Sequence, residues 1–131
     1  MKAQSILITI LATMALTVTP MANAAKGNWK QGRIYYKMVC TDCHATEAER
    51  KISPSEKTKA EWAAYFEADQ HFAADQQPLS YYLSTAFRES IQEQNRAAKK
   101  MLKVSDEQLI ANVKAFVEHG AKDSDQPASC N

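Results

Sequence analysis

The segment Cys40-Thr41-Asp42-Cys43-His44 constrains the fold of this chain more than any other. Two thiols three residues apart, followed directly by an imidazole, form the C-x-x-C-H pattern through which c-type haem is attached. The spacing has a chemical reason. Two such thiols reach the two vinyl groups of one porphyrin and bond to them as thioethers, and the adjacent histidine falls under the iron as its proximal ligand. Covalent attachment lets a small protein keep its haem without a deep pocket. Cys40 and Cys43 are therefore the expected haem-binding residues, and His44 the expected iron ligand. Two other chemistries use the same residue types. A thiol–disulfide redox pair expects a βαβ context, and the strand pattern is missing. A zinc site from Cys40, Cys43, His44 and His71 lacks finger-like ligand spacing.

The N-terminal residues read as an address. Lys2 supplies a short positive region, and Ile6 to Val18 is apolar except for threonines. Pro20 follows, then Ala22-Asn23-Ala24, a small-x-small cleavage pattern. Residues 1–24 are the expected secretory signal peptide. The apolar run is short for a membrane span of roughly 20 residues, so no membrane anchor is expected after cleavage. Residues 25–131 form the expected mature domain, ordered over about 28–121 and ending in a polar tail. Export to a bacterial periplasm agrees with the motif, because such haem attachment takes place outside the cytoplasm.

Composition narrows the remaining classes. Of 131 residues, 16 are Lys or Arg and 15 are Asp or Glu, a net charge of +1. That balance offers no basic field for nucleic acid. Three cysteines are too few, and odd in number, for a disulfide-stapled miniprotein. Apolar residues recur at helical spacing instead. Asn28 and Gln31 suggest a capping box opening a helix that runs into Cys40. Thr58 with Glu61 suggests a second box, ahead of Trp62, Tyr65, Phe66 and Phe72. Ser53-Pro54-Ser55 reads as a loop. Leu79, Tyr82, Leu83, Ala86, Phe87 and Ile91 form one strong helical stripe. Ser105 and Gln108 suggest a third capping box, opening the last helix, with Asp106 and Glu107 in its first turn and Gly120 as its C-terminal stop. The expected fold is a small all-α domain.

These residues carry a family resemblance. Gly32, Tyr36 and Cys40 at successive four-residue steps resemble the first helix of the class I, monohaem cytochromes c. Ser105 to Leu109, followed by Val113 and Phe116, resemble that family's C-terminal helix. The resemblance covers roughly 28–44 and 100–120. It implies a helical fold around one covalent haem c and single-electron transfer between redox partner proteins, not an enzymatic activity. It also implies that Gly32 packs near Val113 and Phe116, and that the Pro54 carbonyl holds the His44 ring, although Pro54 reads equally as loop punctuation. The middle, Ser55 to Arg96, departs from the family, because its Gly- and Pro-rich loops are not evident.

For the sixth iron position the family's choice is methionine. Met38 lies two residues before Cys40, on the proximal side, which leaves Met101 as the expected distal ligand and His71 as its rival. His119 sits where a cation pairs with the helix dipole. An open sixth site would instead suit gas sensing or peroxide chemistry. Tyr35, Tyr36, Trp62, Tyr65, Phe66, Tyr81, Tyr82 and Phe87 mostly belong to a core, with a few left to line a haem crevice. Arg96, Lys99, Lys100 and Lys103 form a basic run that either docks an acidic partner or is simply solvated. Cys130 is left over, as a loose thiol or an intermolecular one.

Overall fold

Asn28 opens the first helix because its side-chain oxygen accepts from the Lys30 and Gln31 backbone N–H groups. In the computed structural model, which describes residues 25–46, 52–71 and 77–128, that helix does not stop at the cysteine motif. α1 (Trp29–Tyr35) passes into a wider π turn (Tyr36–Cys40) and on into α2 (Thr41–Thr46). A 3₁₀ turn follows at Pro54–Glu56, then α3 (Lys59–Ala68), α4 (Leu79–Tyr82), α5 (Thr85–Ile91), α6 (Arg96–Lys100) and α7 (Asp106–His119). There is no strand among the described residues, so the fold is all-α. The expectations for the leader 1–24, for Phe72 and for Cys130 lie outside the described residues.

The core is organised by the crossing of α1 and α7. Gly32 sits at the crossing, where a Cβ atom would lie 1.9 Å from the Asn112 carbonyl oxygen and 2.9 Å from the Val113 nitrogen. One turn on, the Tyr36 ring meets Phe116 edge-on, with centroids 5.2 Å apart. Tyr35, Leu109, Val113, Val117 and Ala121 are buried around this contact. The packing near Val113 expected of Gly32 is present, and the closest atoms belong to the Asn112 backbone.

Asn112 itself is a buried polar tie. Its Oδ1 accepts from the Asn28 N–H at 2.7 Å and from Gln108 Nε2 at 2.8 Å. Its Nδ2 donates to Gln31 Oε1 at 3.0 Å. This corrects both sequence-based boxes at these helices: the Gln31 and Gln108 side chains reach Asn112 instead of returning to their caps. Asn112→Leu removes three hydrogen bonds at once, each worth about 0.5–1.5 kcal/mol net, from partners on exposed Asn28 and Gln31 and half-buried Gln108. Urea denaturation is expected to show a loss of about 2–3 kcal/mol.

Other boundaries follow local hydrogen bonding. The stripe from Leu79 to Ile91 is two helices, because the Ser84 hydroxyl donates to the Tyr81 carbonyl at 2.7 Å and accepts from the Phe87 N–H at 3.1 Å. One side chain thus closes α4 and caps α5. The segment read as a loop at Ser53–Ser55 is a 3₁₀ turn with its own Ser53/Glu56 capping box. Gly120 ends α7 at φ −98°, an ordinary conformation. Its need is for space, since a Cβ would come within 2.9 Å of Pro54 and 3.0 Å of Ala128. The polar tail is not frayed through residue 128. Lys122 N–H donates to the Lys57 carbonyl at 3.0 Å, Ala128 N–H donates to Gly120 at 2.9 Å, and Asp123 accepts from the Lys59 N–H at 2.8 Å.

The Thr58/Glu61 box is present as expected. The Thr58 backbone N–H and then its hydroxyl, with Lys122 behind them, hold the Glu61 carboxyl down to about 2. A carboxyl lowered in the folded state helps folding above its ordinary value of 4.5 and loses that help as pH falls toward 2. Acid titration of the folded protein followed by NMR is expected to show the Thr58 amide shifting with a midpoint of about 2, well below the ordinary 4.5, and Glu61→Gln is expected to abolish the shift.

Candidate functional site

The cysteine motif lies within continuous helix. The Thr41 N–H reaches back to the Tyr36 carbonyl, one residue further than in an α-helix, so the π turn ends at Cys40. Residues three and four apart share a helical face, which puts Cys43 and His44 on the side of the helix that Cys40 occupies. Cys40 is half-buried against the core, His44 is half-buried and Cys43 is exposed. Both cysteines are thiols. Burial pushes the Cys40 thiol up to about 12, the neighbouring Cys43 adds to the rise, and hydrogen bonding to the Cys40 backbone opposes it. Reactive redox thiols need the opposite, a lowered value of the kind a helix N-terminus provides. Cys40 is mid-helix and stays protonated at neutral pH.

A second imidazole faces the motif. The His71 ring lies 5.7 Å from the His44 ring, centroid to centroid, with planes at 88°. Its position follows from how α3 ends. Asp69 takes a left-handed conformation (φ 48°, ψ 33°) as the C-cap. Its carboxylate then accepts from the Ser80 N–H and hydroxyl, both at 2.7 Å. Asp69 so ties the end of α3 to the start of α4, and His71 sits two residues inside this closure.

The wall behind His71 is aromatic. Tyr82 packs on it with centroids 4.6 Å apart, and Phe87 packs on Tyr82 at 5.2 Å. The fully buried Tyr35 donates its hydroxyl to the Tyr82 carbonyl at 2.7 Å. Burial, the largest influence, lifts Tyr35 well above the ordinary tyrosine value, so it remains a donor. The first helix is thereby bonded directly to the segment that supports His71.

The other sequence-predicted residues are placed differently. Met101 caps α6, its N–H bonded to the Ala97 and Ala98 carbonyls, and its side chain is buried in the cluster with Tyr35, Leu83 and Leu109. The Met101 carbonyl accepts from Arg88. The Pro54 carbonyl accepts from the Trp62 indole at 2.7 Å, so its donor is this tryptophan. The His119 ring stacks on Trp29 at 4.1 Å. Arg96, Lys99, Lys100 and Lys103 are exposed, and Lys99 pairs with Glu93 at 3.4 Å. Among the described residues no three His, Cys, Asp or Glu side chains converge as ligands of one metal ion, which disfavours the zinc reading. Sequence reasoning missed the Asp69 tie, the Tyr35–Tyr82 bond and a fully buried Arg88.

No helix among the described residues is long and apolar enough to cross a membrane. Comparison with protein-family models, curated proteins and solved structures finds no match to this chain.

Proposed function

We propose that this chain is an exported monohaem c-type cytochrome that passes single electrons between redox partner proteins. The observation that carries the reading is the grouping of Cys40, Cys43 and His44 on one helical face with an aromatic-backed surface opposite. The donor set fits the group: two thiols for thioether attachment and one imidazole for iron. Haem held in this way supplies reversible one-electron chemistry at its iron.

The chain's own residues do the rest. Cys40 and Cys43 would fix the porphyrin to the helix, and His44 would hold the iron from the same segment. Tyr82 and Phe87 present apolar rings that exclude water, and Tyr35 keeps Tyr82 in place. The exposed cations of α6 offer a surface for steering an acidic partner. A thiol oxidoreductase fits less well, because Cys40 is held as a thiol in mid-helix and no strand flanks it among the described residues.

The test is expression of the full chain with a periplasmic haem-attachment system, followed by denaturing mass spectrometry. One haem mass bound covalently is expected, and Cys40→Ala with Cys43→Ala together are expected to remove it. An intact, correctly exported protein with two unmodified thiols would refute the proposal.

A further inference from the structure

We infer that His71 is the second axial ligand of the iron, opposite His44, so that the centre is bis-imidazole with no thioether from Met101. This rests on the haem attachment proposed above and deepens it. The first support is distance. Two imidazoles that share one metal ion, each bonded at about 2.0–2.1 Å, stand with ring centres roughly 6 Å apart. His44 and His71 stand 5.7 Å apart.

The second support is construction. The half-buried His71 ring lies beside the motif helix, next to His44. Here three separate interactions bring it there: the left-handed turn at Asp69, the Asp69–Ser80 tie, and the Tyr82 ring resting on His71 with its own backbone bonded to Tyr35. Ligands held by such supports are positioned before they bind.

The third support is the alternative's situation. Met101 is held at both backbone ends, by Ala97 and Ala98 on one side and Arg88 on the other. Its side chain is 7 % exposed, within the core cluster that joins α1, α6 and α7. There it fills space as a flexible apolar side chain does in irregular cores. A second imidazole in place of a thioether also sets the centre's use, because methionine ligation raises the reduction potential. The chain then serves as a carrier of lower potential than a methionine-ligated one.

The experiment uses the oxidised, haem-loaded full chain and reads its absorption and electron paramagnetic resonance spectra. Native protein is expected to show low-spin iron with no long-wavelength sulfur-to-iron band. Met101→Leu is expected to leave these spectra unchanged. His71→Gly is expected to lose the low-spin signal and to regain it when free imidazole is added. A sulfur-to-iron band that disappears in Met101→Leu overturns the inference while leaving haem attachment standing. Low-spin iron that persists in His71→Gly without imidazole overturns it as well. A chain that acquires no covalent haem overturns both proposals together. Should His71→Gly fail to accumulate, the native and Met101→Leu spectra still decide between nitrogen and sulfur.

Discussion

Gly32→Ala is expected to lower the stability of the domain by about 3 kcal/mol, even though overpacking by one carbon more often costs 1–3 kcal/mol. The reason lies in what the new methyl group meets. Its carbon would stand 1.9 Å from the Asn112 carbonyl oxygen, 2.5 Å from the carbonyl carbon and 2.9 Å from the Val113 nitrogen. All three are backbone atoms of a helix, so no side chain can swing aside. α1 and α7 must separate, and the Tyr36–Phe116 contact and the Asn112 ties open with them. Alanine's better helix propensity returns about 1 kcal/mol, which is too little to reverse the sign. For a domain of this size the change corresponds to a fall in Tm of roughly 12–24 °C. Thermal unfolding followed by circular dichroism checks it, and an unchanged Tm would mean that the crossing is looser than the backbone distances imply.

Arg88→Met is expected to cost about 3–5 kcal/mol, because several buried acceptors lose their donor at once, each at a cost of about 1–3 kcal/mol. Arg88 is fully buried, and its guanidinium spends every donor. Nε donates to the Ser84 carbonyl at 3.1 Å, and one terminal nitrogen donates to the carbonyls of Met101 and Val104. The other terminal nitrogen donates to the Thr85 hydroxyl at 2.9 Å and to Asp106 at 2.5 Å. Methionine matches the stem and leaves the acceptors without donors. Asp106 is 41 % exposed, so its own charge is partly screened. Most of the loss therefore comes from the stranded carbonyls, and Asp106→Asn is expected to cost much less than Arg88→Met. Urea denaturation of both single variants and the double variant checks this, with the double variant less than additive.

The same cluster gives an acid dependence. Burial alone would raise the Asp106 carboxyl, but the Thr85 hydroxyl and N–H, with Arg88, outweigh it and hold the group below its ordinary value of 3.8. A carboxyl lowered in this way stabilises the fold above that value, and the contribution fades as pH falls through the folded-state value.

Short-range chemistry is legible in the order of residues alone. The cysteine motif and the Asn28, Thr58 and Ser105 caps all depend on residues within one or two turns, whereas the place of Gly32 at the α1–α7 crossing is expected only from the family resemblance. What the sequence hides is long-range pairing. Gln31 looks like a local capping residue, and only the approach of α7 reveals that Asn112 claims it. Arg88 looks like any solvated cation beside an apolar stripe, until α5, α6 and α7 close around it. His71 and Met101 are comparable as iron ligands by residue type. The Asp69–Ser80 tie separates them, and no periodicity in the chain announces a bond between a helix end and a serine eleven residues away.

The π turn at Tyr36–Cys40 has a consequence for how the cysteine motif can change over time. A wide turn is one residue more than an α-helical path needs, and each residue advances a helix by about 100°. The wide turn takes up the extra residue within a single turn, so Cys40, Cys43 and His44 keep the bearing relative to Gly32 and Tyr35 that a continuous α-helix one residue shorter would give them. Removing one residue there would let an ordinary turn close in its place, with the motif's spacing, the crossing with α7 and their alignment all kept. Adding a residue, or removing a second, would turn the two halves against each other by about 100°. The length of this stretch can therefore change at little cost in one direction only.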